Sequence, residues 1–284
     1  METPLELTAR ACDLALLQTA ANYDLYSRED RAASHRWLVE LFGRLVTRAI
    51  KPGLVLELGA FSAEFSCNHR ALLPDAQFHA FEANPHNYER YRSNVETAGV
   101  GYHPLAIGEA VETRTFKVAR KRDGKLVPPT RGSNSLRTKP LDIEYEEVSV
   151  QMVSVDHFVR ERGLIGQSTA MWIDLEGCAY EGLIGAERTL RDTSLIFVEV
   201  EDQPFWVGQK LSGEVRGLMA RSGFIPLARD FETKHQYNVV YARPDLCDRV
   251  DVRQILANSS SKAGKRARAL HPEHAEPGLG DRRV

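Results

Sequence analysis

The stretch LVLELGAFSA at residues 54–63 decides the fold class of this 284-residue chain. A mostly apolar run, residues 54–58, leads into Gly59, and a helix is predicted to start near Ser62. This order is typical of the first strand, turn and helix of an open α/β sheet, in which ligands lie at the carboxyl ends of the strands. The turn at Gly59 is therefore the predicted position of a cofactor.

The acid in this stretch indicates the charge of that cofactor. A dinucleotide site uses the pattern GxGxxG, in which glycines and free helix amides accept a pyrophosphate. Here one glycine is present, and Glu57 precedes it. A carboxylate repels a pyrophosphate at close range and attracts a cation. A functional turn therefore favours S-adenosylmethionine, which carries a sulfonium and an ammonium group but no phosphate, over NAD. The alternative is an ordinary strand end at which Glu57 is simply exposed.

Short apolar runs alternate with helix-like segments in the rest of the chain. The runs lie at residues 78–81, 102–107, 171–175 and 195–200. Repeated β-then-α units predict a mostly parallel sheet with helices on both faces, which is a doubly wound, Rossmann-like α/β fold.

The chain divides into three predicted parts. Residues 1–52 form an N-terminal helical segment, residues 53–245 the main domain, and residues 246–284 a C-terminal extension that we expect to be disordered from about Asn258. Residues 119–147 are polar and rich in Pro and Gly. We interpret them as an inserted loop or hairpin on the ligand side of the sheet.

The helical prediction covers residues 5–50. Ser27 with Asp30 three residues later forms a cap-like start, and apolar residues then recur every three or four positions from Trp37 to Ile50. Lys51-Pro52-Gly53 ends the helix. The broad apolar stripe suggests that this segment covers the sheet or, alternatively, forms a homodimer interface.

Composition excludes several classes of protein. The chain has 37 Lys and Arg against 39 Asp and Glu, a net charge of −2, so no nucleic-acid partner is expected. A basic arm in the tail, Lys262 to Arg268, is the alternative. No run approaches the ~18 apolar residues of a membrane span. The start lacks a secretory pattern, and four widely spaced cysteines indicate unlinked thiols, so we expect a cytoplasmic protein.

A second acid follows the second apolar run. Residues 78–82, FHAFE, form a strand that ends at Glu82. A carboxylate at this position can accept both ribose hydroxyls of a nucleoside. Asn84 is predicted to cap the next helix, with Pro85 at its first position. Ribose recognition fits NAD and S-adenosylmethionine alike, and the first turn favours the latter.

Two further acids follow the strand MWIDLEG at residues 171–177. Asp174 and Glu176 alternate with apolar residues, so both are predicted to point to one side of the strand end. They are the candidate catalytic acids, which would orient a hydroxyl acceptor or take its proton. A divalent metal held with Glu201 is an alternative. Because spacing gives no third ligand, no metal site is assigned.

Histidine is the usual base near neutral pH. His235 lies between Asp230 and the apolar run 237–241, where it can reach the mouth of the cleft, and it is the third catalytic candidate. Structural or solvated positions are predicted for His69, His79, His157, His271 and His274.

Taken in order, six motifs resemble the FkbM family of S-adenosylmethionine-dependent methyltransferases. ELGAFSAEFS at 57–66 is similar to the family's first motif, an acid followed by GANxGxFS, and IDLEG at 173–177 is similar to its IDVEG signature. The other four resemble its FEPNP, ALG, SSL and TLD motifs and read FEANP (81–85), LAIG (105–108), GSNSL (132–136) and VSVD (153–156). The resemblance covers about residues 53–243.

The resemblance implies a class I methyltransferase fold with a seven-stranded, mostly parallel sheet. It also implies O-methylation of a hydroxyl on a sugar of a glycan or on a natural product. Transferred motif by motif, the cofactor contacts are Glu57, Gly59, Ala60, Phe61, Glu82, Ala83, Asn84, Ala106, Ile107, Ser135 and Asp174.

Four positions depart from the family pattern. Ala63 replaces the second glycine of the first motif, Trp172 replaces a Lys, and Ala179 replaces an acid. Glu201 stands where the family often has a His. These departures leave open a methyltransferase-like binding protein without activity. An NAD-linked oxidoreductase is a further, less favoured alternative, because the first turn lacks the glycines of a dinucleotide site. The seven basic residues of the insert and its end, Arg120 to Lys139, suggest either an anionic acceptor or a solvated surface.

Overall fold

The computed structural model describes residues 3–132 and 134–259. In chain order its strands are β1 Leu54–Leu58, β2 Gln77–Phe81, β3 Gly101–His103, β4 Ala106–Ile107, β5 Glu112–Arg122, β6 Lys125–Leu126, β7 Ile143–Val153, β8 Thr169–Ile173, β9 Thr193–Glu201, β10 Ile225–Arg229 and β11 Gln236–Ala242. The helices are α1 Pro4–Ala20, α2 Arg28–Arg44, α3 Glu64–Arg70, α4 Pro85–Thr97, α5 Val155–Glu161, α6 Ala179–Ile184, α7 Ser212–Arg221 and α8, residues 250–259.

The main sheet has seven strands in the order β3-β2-β1-β8-β9-β11-β10. Neighbouring strands are parallel except that β11 runs antiparallel to both β9 and β10. Apolar side chains pack on both faces of this sheet, which explains why β1 is buried along its whole length. The predicted seven-stranded, mostly parallel α/β fold is confirmed.

The N-terminal segment packs on the sheet of its own chain. The stripe from Trp37 to Ala49 lies in the same buried cluster as Val55 and Phe197, which come from central strands. The stripe is therefore used within the subunit and does not itself offer a surface to a second copy. The predicted continuous helix is interrupted between Ala20 and Arg28, and its last turn, Leu45–Ile50, is π-helical.

Lys51 ends this π-helical turn in a left-handed conformation, with φ 48°. This conformation is unfavourable for a residue with a Cβ, and Pro52 further restricts the backbone dihedral angles of the residue before it. We expect Lys51→Gly to raise the free energy of unfolding by about 0.5–1 kcal/mol, because glycine adopts positive φ freely. Urea unfolding measures the change. Lys51→Ala, which keeps the Cβ, is the matched control, and a gain as large in the control would contradict the conformational explanation.

The insert is a second sheet in the order β4-β7-β5-β6. Its long strands, β5 and β7, extend beyond the predicted limits 119–147 at both ends, because Phe116, Val118 and Met152 form a small core at the base of the hairpin. Towards its tip, Arg120 and Lys121 pair with Glu146 and Glu144.

Two local predictions differ from the structure. The predicted strand 102–107 splits after His103, because Pro104 has no N–H to continue the ladder, and Ala106–Ile107 pairs with β7 instead. The strand predicted at 171–175 ends at Ile173.

The C-terminal part that the structure describes packs on the N-terminal segment. Val252 of α8 is buried in the cluster around Trp37, and Arg249 donates to the carbonyl of Ala49 at 2.7 Å. Residues 260–284, which carry the predicted disorder, the basic arm, His271 and His274, lie outside the described residues. No helix among the described residues is long and apolar enough to cross a bilayer.

Candidate functional site

Two adjoining cavities open at the carboxyl ends of the parallel strands. The inner cavity, of about 260 Å³, lies between the ends of β1, β2 and β8 and the insert. The α2–α3 groove, of about 750 Å³, lies between α2 and α3. Gly59, Phe61 and Asp174 line both, so the two cavities meet at these residues.

The turn after β1 requires glycine at position 59. Gly59 has φ 79°, and a Cβ built on it would lie 2.7 Å from the carbonyl carbon of Asp174 and overlap its oxygen. The amides of Gly59 and Ala60 both donate to the carbonyl of Phe81, at 3.0 and 2.8 Å. Close packing of three strand ends therefore shapes the turn.

Glu82 lies in the wall of the inner cavity and is 7% exposed. Its two oxygens accept from the backbone amides of Phe61, at 2.8 Å, and Asn84, at 2.7 Å. Each oxygen of a carboxylate keeps a further lone pair for a second donor. Burial raises the pKa of Glu82 to about 7.

Asp174 and Glu176 both line the inner cavity, but they lie in a turn after β8 and do not alternate along a strand as predicted. Both follow the end of β8, and Glu176 has a left-handed backbone with φ 47°. The turn brings both side chains into the cavity lining. One oxygen of Asp174, Oδ1, is buried without a hydrogen-bond partner among the described residues.

More carboxyl groups surround Asp174 than the sequence analysis assigned to the site. Burial and the neighbouring Glu176 raise the pKa of Asp174 well above its usual range. Burial and Asp174 do the same to Glu199 on β9. Burial, followed by Glu176, raises the pKa of Glu201 to about 7. A cation in the cavity would relieve this repulsion between like charges.

The inner cavity is also lined by apolar residues, which include the predicted cofactor residues Ala83, Ala106 and Ile107. Leu105, Phe116 and Leu136 line it as well but were not predicted, because their proximity depends on how the insert folds back over the sheet. Three polar residues, Asn87, Arg131 and Asn134, belong to the same lining. Apolar side chains beside a buried carboxylate suit a nucleoside, whose base is apolar and whose sugar carries hydroxyls.

Two other predicted cofactor residues, Glu57 and Ala60, line the α2–α3 groove and not the inner cavity. Glu57 is 4% exposed, borders the groove and accepts from the amide of Ser66 at 2.8 Å, which fixes the start of α3. Burial raises its pKa to about 7.

Asn84 and Ser135 connect elements around the site. Asn84 caps α4 through the amide of His86 and donates from Nδ2 to the carbonyl of Pro129 at 2.8 Å. Ser135 Oγ donates to the carbonyl of Glu176 at 2.7 Å. Neither is part of the inner cavity lining.

His235, the third catalytic candidate, is not brought together with Asp174 and Glu176. Its Nδ1 lies 2.9 Å from Oδ1 of Asp202. His235 is absent from the lining of both cavities.

The structure brings another histidine, His35, to the site. His35 lies on α2, lines the α2–α3 groove and places Nδ1 2.9 Å from Oδ2 of Asp230. Ligand atoms of His35, Asp230 and Glu232 lie within 4.8 Å of one another. Hydrogen bonds account for this cluster, because Nδ2 of Asn238 donates to Asp230 and Glu232 at 2.9 Å each. No sequence pattern joins His35 to a partner 195 residues away.

A family model described as "Methyltransferase FkbM domain" matches residues 57–226, more than half of the chain. The chain belongs to the FkbM methyltransferase family. The resemblance found in the sequence motifs is confirmed, and the protein is assigned as a methyltransferase on this basis.

Individual relatives of this FkbM protein are distant. It is 26% identical over 185 residues to 2-O-methyltransferase NoeI of Sinorhizobium fredii (strain NBRC 101917 / NGR234), over 58% of this chain and 71% of the relative.

Two solved structures similar to this FkbM protein have TM-scores below 0.5 against it, so the fold assignment rests on its own sheet order. Methyltransferase FkbM from Methylobacillus flagellatus KT has a TM-score of 0.43 at 11% identity and covers 70% of this chain. This chain spans less than half, 47%, of that protein. Magnesium protoporphyrin IX methyltransferase (ChlM) from Synechocystis PCC 6803, solved with SAM, has a TM-score of 0.40 at 9% identity, covering 74% of this chain and 80% of that one.

Proposed function

We propose that this protein is an S-adenosylmethionine-dependent O-methyltransferase that acts on a hydroxyl of a small molecule or glycan. The observation that carries the proposal is the inner cavity, in which buried carboxyl groups lie beside apolar side chains at the carboxyl ends of β1, β2 and β8. S-adenosylmethionine combines a flat base, a ribose and two positive charges, and each has a counterpart there. Similarity to a 2-O-methyltransferase supports oxygen as the acceptor atom.

Different residues of the inner cavity would bind different parts of S-adenosylmethionine. Ala106 and Ile107 would hold the adenine, and Glu82 would accept hydrogen bonds from the ribose hydroxyls. Asp174 lies where the inner cavity meets the groove, and its buried Oδ1 has no partner among the described residues. We assign Asp174 and Glu176 to the positively charged end of the cofactor and to the orientation of the acceptor.

The groove would receive the acceptor. When bound, S-adenosylmethionine supplies a methyl group on a positively charged sulfur, so the protein needs to align the acceptor oxygen, exclude water and accept one proton. Trp172, Phe65 and Val39 give the groove apolar surface, while Arg36 and Asn68 offer hydrogen-bond donors. Such a mixture suits a hydroxyl-rich molecule, and the groove has the volume of a ligand site.

Titration calorimetry followed by label transfer tests this function. The protein is expected to bind S-adenosylmethionine and to transfer an isotope-labelled methyl group to a component of cell extract, identified by mass. A folded protein that shows no binding heat at several temperatures would contradict the proposal. Binding without a labelled product would favour a methyltransferase-like binding protein instead.

The affinity for S-adenosylmethionine is expected to rise with pH from about 6 to 7.5. Burial raises the pKa of Glu82, which lines the inner cavity, to about 7, so the free protein holds a proton on it below this pH. A cationic ligand favours the ionised carboxylates and therefore releases protons, and affinity falls as the pH decreases through 7. Calorimetry in two buffers with different ionisation enthalpies measures the released protons.

S-adenosylhomocysteine is the control ligand for this pH dependence. It lacks the sulfonium charge, so its affinity should depend less on pH over the same range. Equal pH dependence of the two ligands, or proton uptake on binding of S-adenosylmethionine, would contradict a carboxylate-lined sulfonium site.

A further inference from the structure

The orientation of His35 is set by a buried carboxylate. Asp230, which follows β10, is 0% exposed and accepts from the backbone amide of Asn238 at 2.7 Å on Oδ1. Its Oδ2 accepts from Nδ2 of Asn238 at 2.9 Å and lies 2.9 Å from Nδ1 of His35. The carboxylate is therefore fixed from two sides, and it fixes the imidazole in turn.

The same hydrogen bonds determine the tautomer of His35. The amide group of Asn238 has two protons, and these go to Asp230 and Glu232. Nδ2 of Asn238 also lies 3.3 Å from Nδ1 of His35, but the two carboxylate oxygens are closer and take both of its protons. Nδ1 of His35 faces a carboxylate oxygen at 2.9 Å, so Nδ1 carries the imidazole proton in the neutral ring. Nε2 then has a free lone pair, and it has no hydrogen-bond partner within residues 3–132 and 134–259.

The imidazole lies beside the junction of the two cavities. His35 and Asp174 both line the α2–α3 groove. The ring of His35 meets that of Phe197 on β9 edge to face, with centroids 6.5 Å apart. His35 thus lies in the wall of the groove that Asp174 also lines, so an acceptor bound in the groove could meet both residues.

We propose that His35 is the general base of the methyl transfer and that Asp230 is its positioning residue. This inference rests on the proposed function. The acceptor oxygen forms a bond to the methyl carbon while the bond from that carbon to sulfur breaks and leaves its electron pair on sulfur. The hydroxyl proton passes to Nε2 of His35, which releases it to solvent after the products leave.

Neither Glu201, at the end of β9, nor His235 lines either cavity. Glu201 Oε2 accepts from Nε2 of Gln209 at 2.8 Å. The N-terminal helix α2 therefore supplies a base that the sheet does not, and the active site is complete only with the segment that precedes β1.

Charged groups from three elements surround His35. Asp230 and Glu232 face it from the connection between β10 and β11, and Asp174 from the end of β8. Burial lowers the pKa of His35, but these three carboxyl groups together leave it above its ordinary value. A sulfonium close to Nε2 acts in the opposite direction, because a positive charge disfavours the imidazolium.

Imidazole NMR tests the proposal without a known acceptor. We expect the wild-type protein to show His35 protonated on Nδ1 in its neutral form. The pKa of His35 should be lower by about one pH unit with S-adenosylmethionine than with S-adenosylhomocysteine, the effect of a unit charge about 6 Å away at an effective dielectric of about 40. His35→Asn identifies the signals. The signals of His235, which pairs with Asp202 and lines neither cavity, are the internal control and should be alike in the two complexes.

Variants connect this signature to turnover. With cell extract as the source of acceptor and saturating labelled S-adenosylmethionine, His35→Asn should lower the rate of label transfer about 100-fold or more, with cofactor affinity changed less than about threefold. Asp230→Asn should lower both the rate and the pKa of His35, a spectroscopic change that simple loosening of the loop would not produce.

Two results would overturn the assignment of His35. One is an unchanged titration of His35 between the two complexes. The other is a loss of turnover in His235→Asn together with full turnover in His35→Asn. Absence of cofactor binding by the wild-type protein would instead contradict the proposed function, so the two failures are distinguishable.

Discussion

Glu82→Ala is expected to weaken binding of S-adenosylmethionine about 10- to 100-fold, as losing hydrogen bonds to a charged group does. Glu82 is nearly fully buried in the wall of the inner cavity, and its oxygens already hold the amides of Phe61 and Asn84. The substitution removes the acceptors for the ribose and leaves both amides without their partner. Titration calorimetry measures the loss, and thermal unfolding reports how much stability accompanies it.

A ligand without the ribose hydroxyls separates recognition from structural damage. The wild-type protein should bind a 2′,3′-dideoxy analogue of S-adenosylhomocysteine more weakly than S-adenosylhomocysteine itself, whereas Glu82→Ala should bind the two alike. Glu82→Gln keeps one acceptor oxygen, so its discrimination between the two ligands should lie between that of the wild type and that of Glu82→Ala. If Glu82→Ala still discriminates between the ligands as the wild type does, Glu82 is not the ribose acceptor. Asp174→Asn, in contrast, is expected mainly to lower turnover.

Gly59→Ala is expected to destabilise the protein by more than about 2 kcal/mol and to abolish measurable cofactor binding. The new Cβ would overlap the carbonyl oxygen of Asp174 and lie 2.7 Å from its carbonyl carbon, and the backbone at φ 79° is unfavourable for alanine. Both obstacles involve backbone, so no side-chain rotation removes them. The ends of β1 and β8 would separate where the two cavities meet.

Gly213→Ala is the matched control for this substitution. Gly213 lies in the first turn of α7, and a Cβ there meets nothing within 4 Å. Its stability should stay equal or rise by up to about 1 kcal/mol, because alanine favours helix. Urea unfolding and calorimetry on both variants measure the difference. Wild-type affinity and stability in Gly59→Ala would refute the tight turn as the basis of the site.

Periodicity and turn chemistry predicted the elements near the site. β1 has the predicted limits, residues 54–58, because a short, mostly apolar run that ends at a glycine is typical of a buried strand followed by a turn. Asn84 with Pro85 predicted the start of α4 correctly. The insert was predicted less well, because side chains on both faces of its tip are solvated and their composition resembles that of a loop.

The candidate site was predictable where its residues follow strand ends. Gly59, Glu82, Asp174 and Glu176 follow successive parallel strands, and parallel strands end at one edge of a sheet. The motif resemblance predicted that Asn84 and Ser135 belong to the site, but it did not predict which groups they contact. Their polar groups hold the insert and the turn of Glu176, and only the packing of the insert shows this.

The sequence by itself determined the βα order, the acidic strand ends and the family, because these depend on local pattern and on motifs that occur in one order. Tertiary structure alone decided which side chains from distant segments meet at the groove. His35 and Asp230 come from opposite ends of the chain, and their contact depends on α2 packing across the sheet beside β11. The local sequence pattern predicts which face of a helix is buried, but it does not predict which residue each side chain contacts. Long-range contacts depend on the packing of the whole fold.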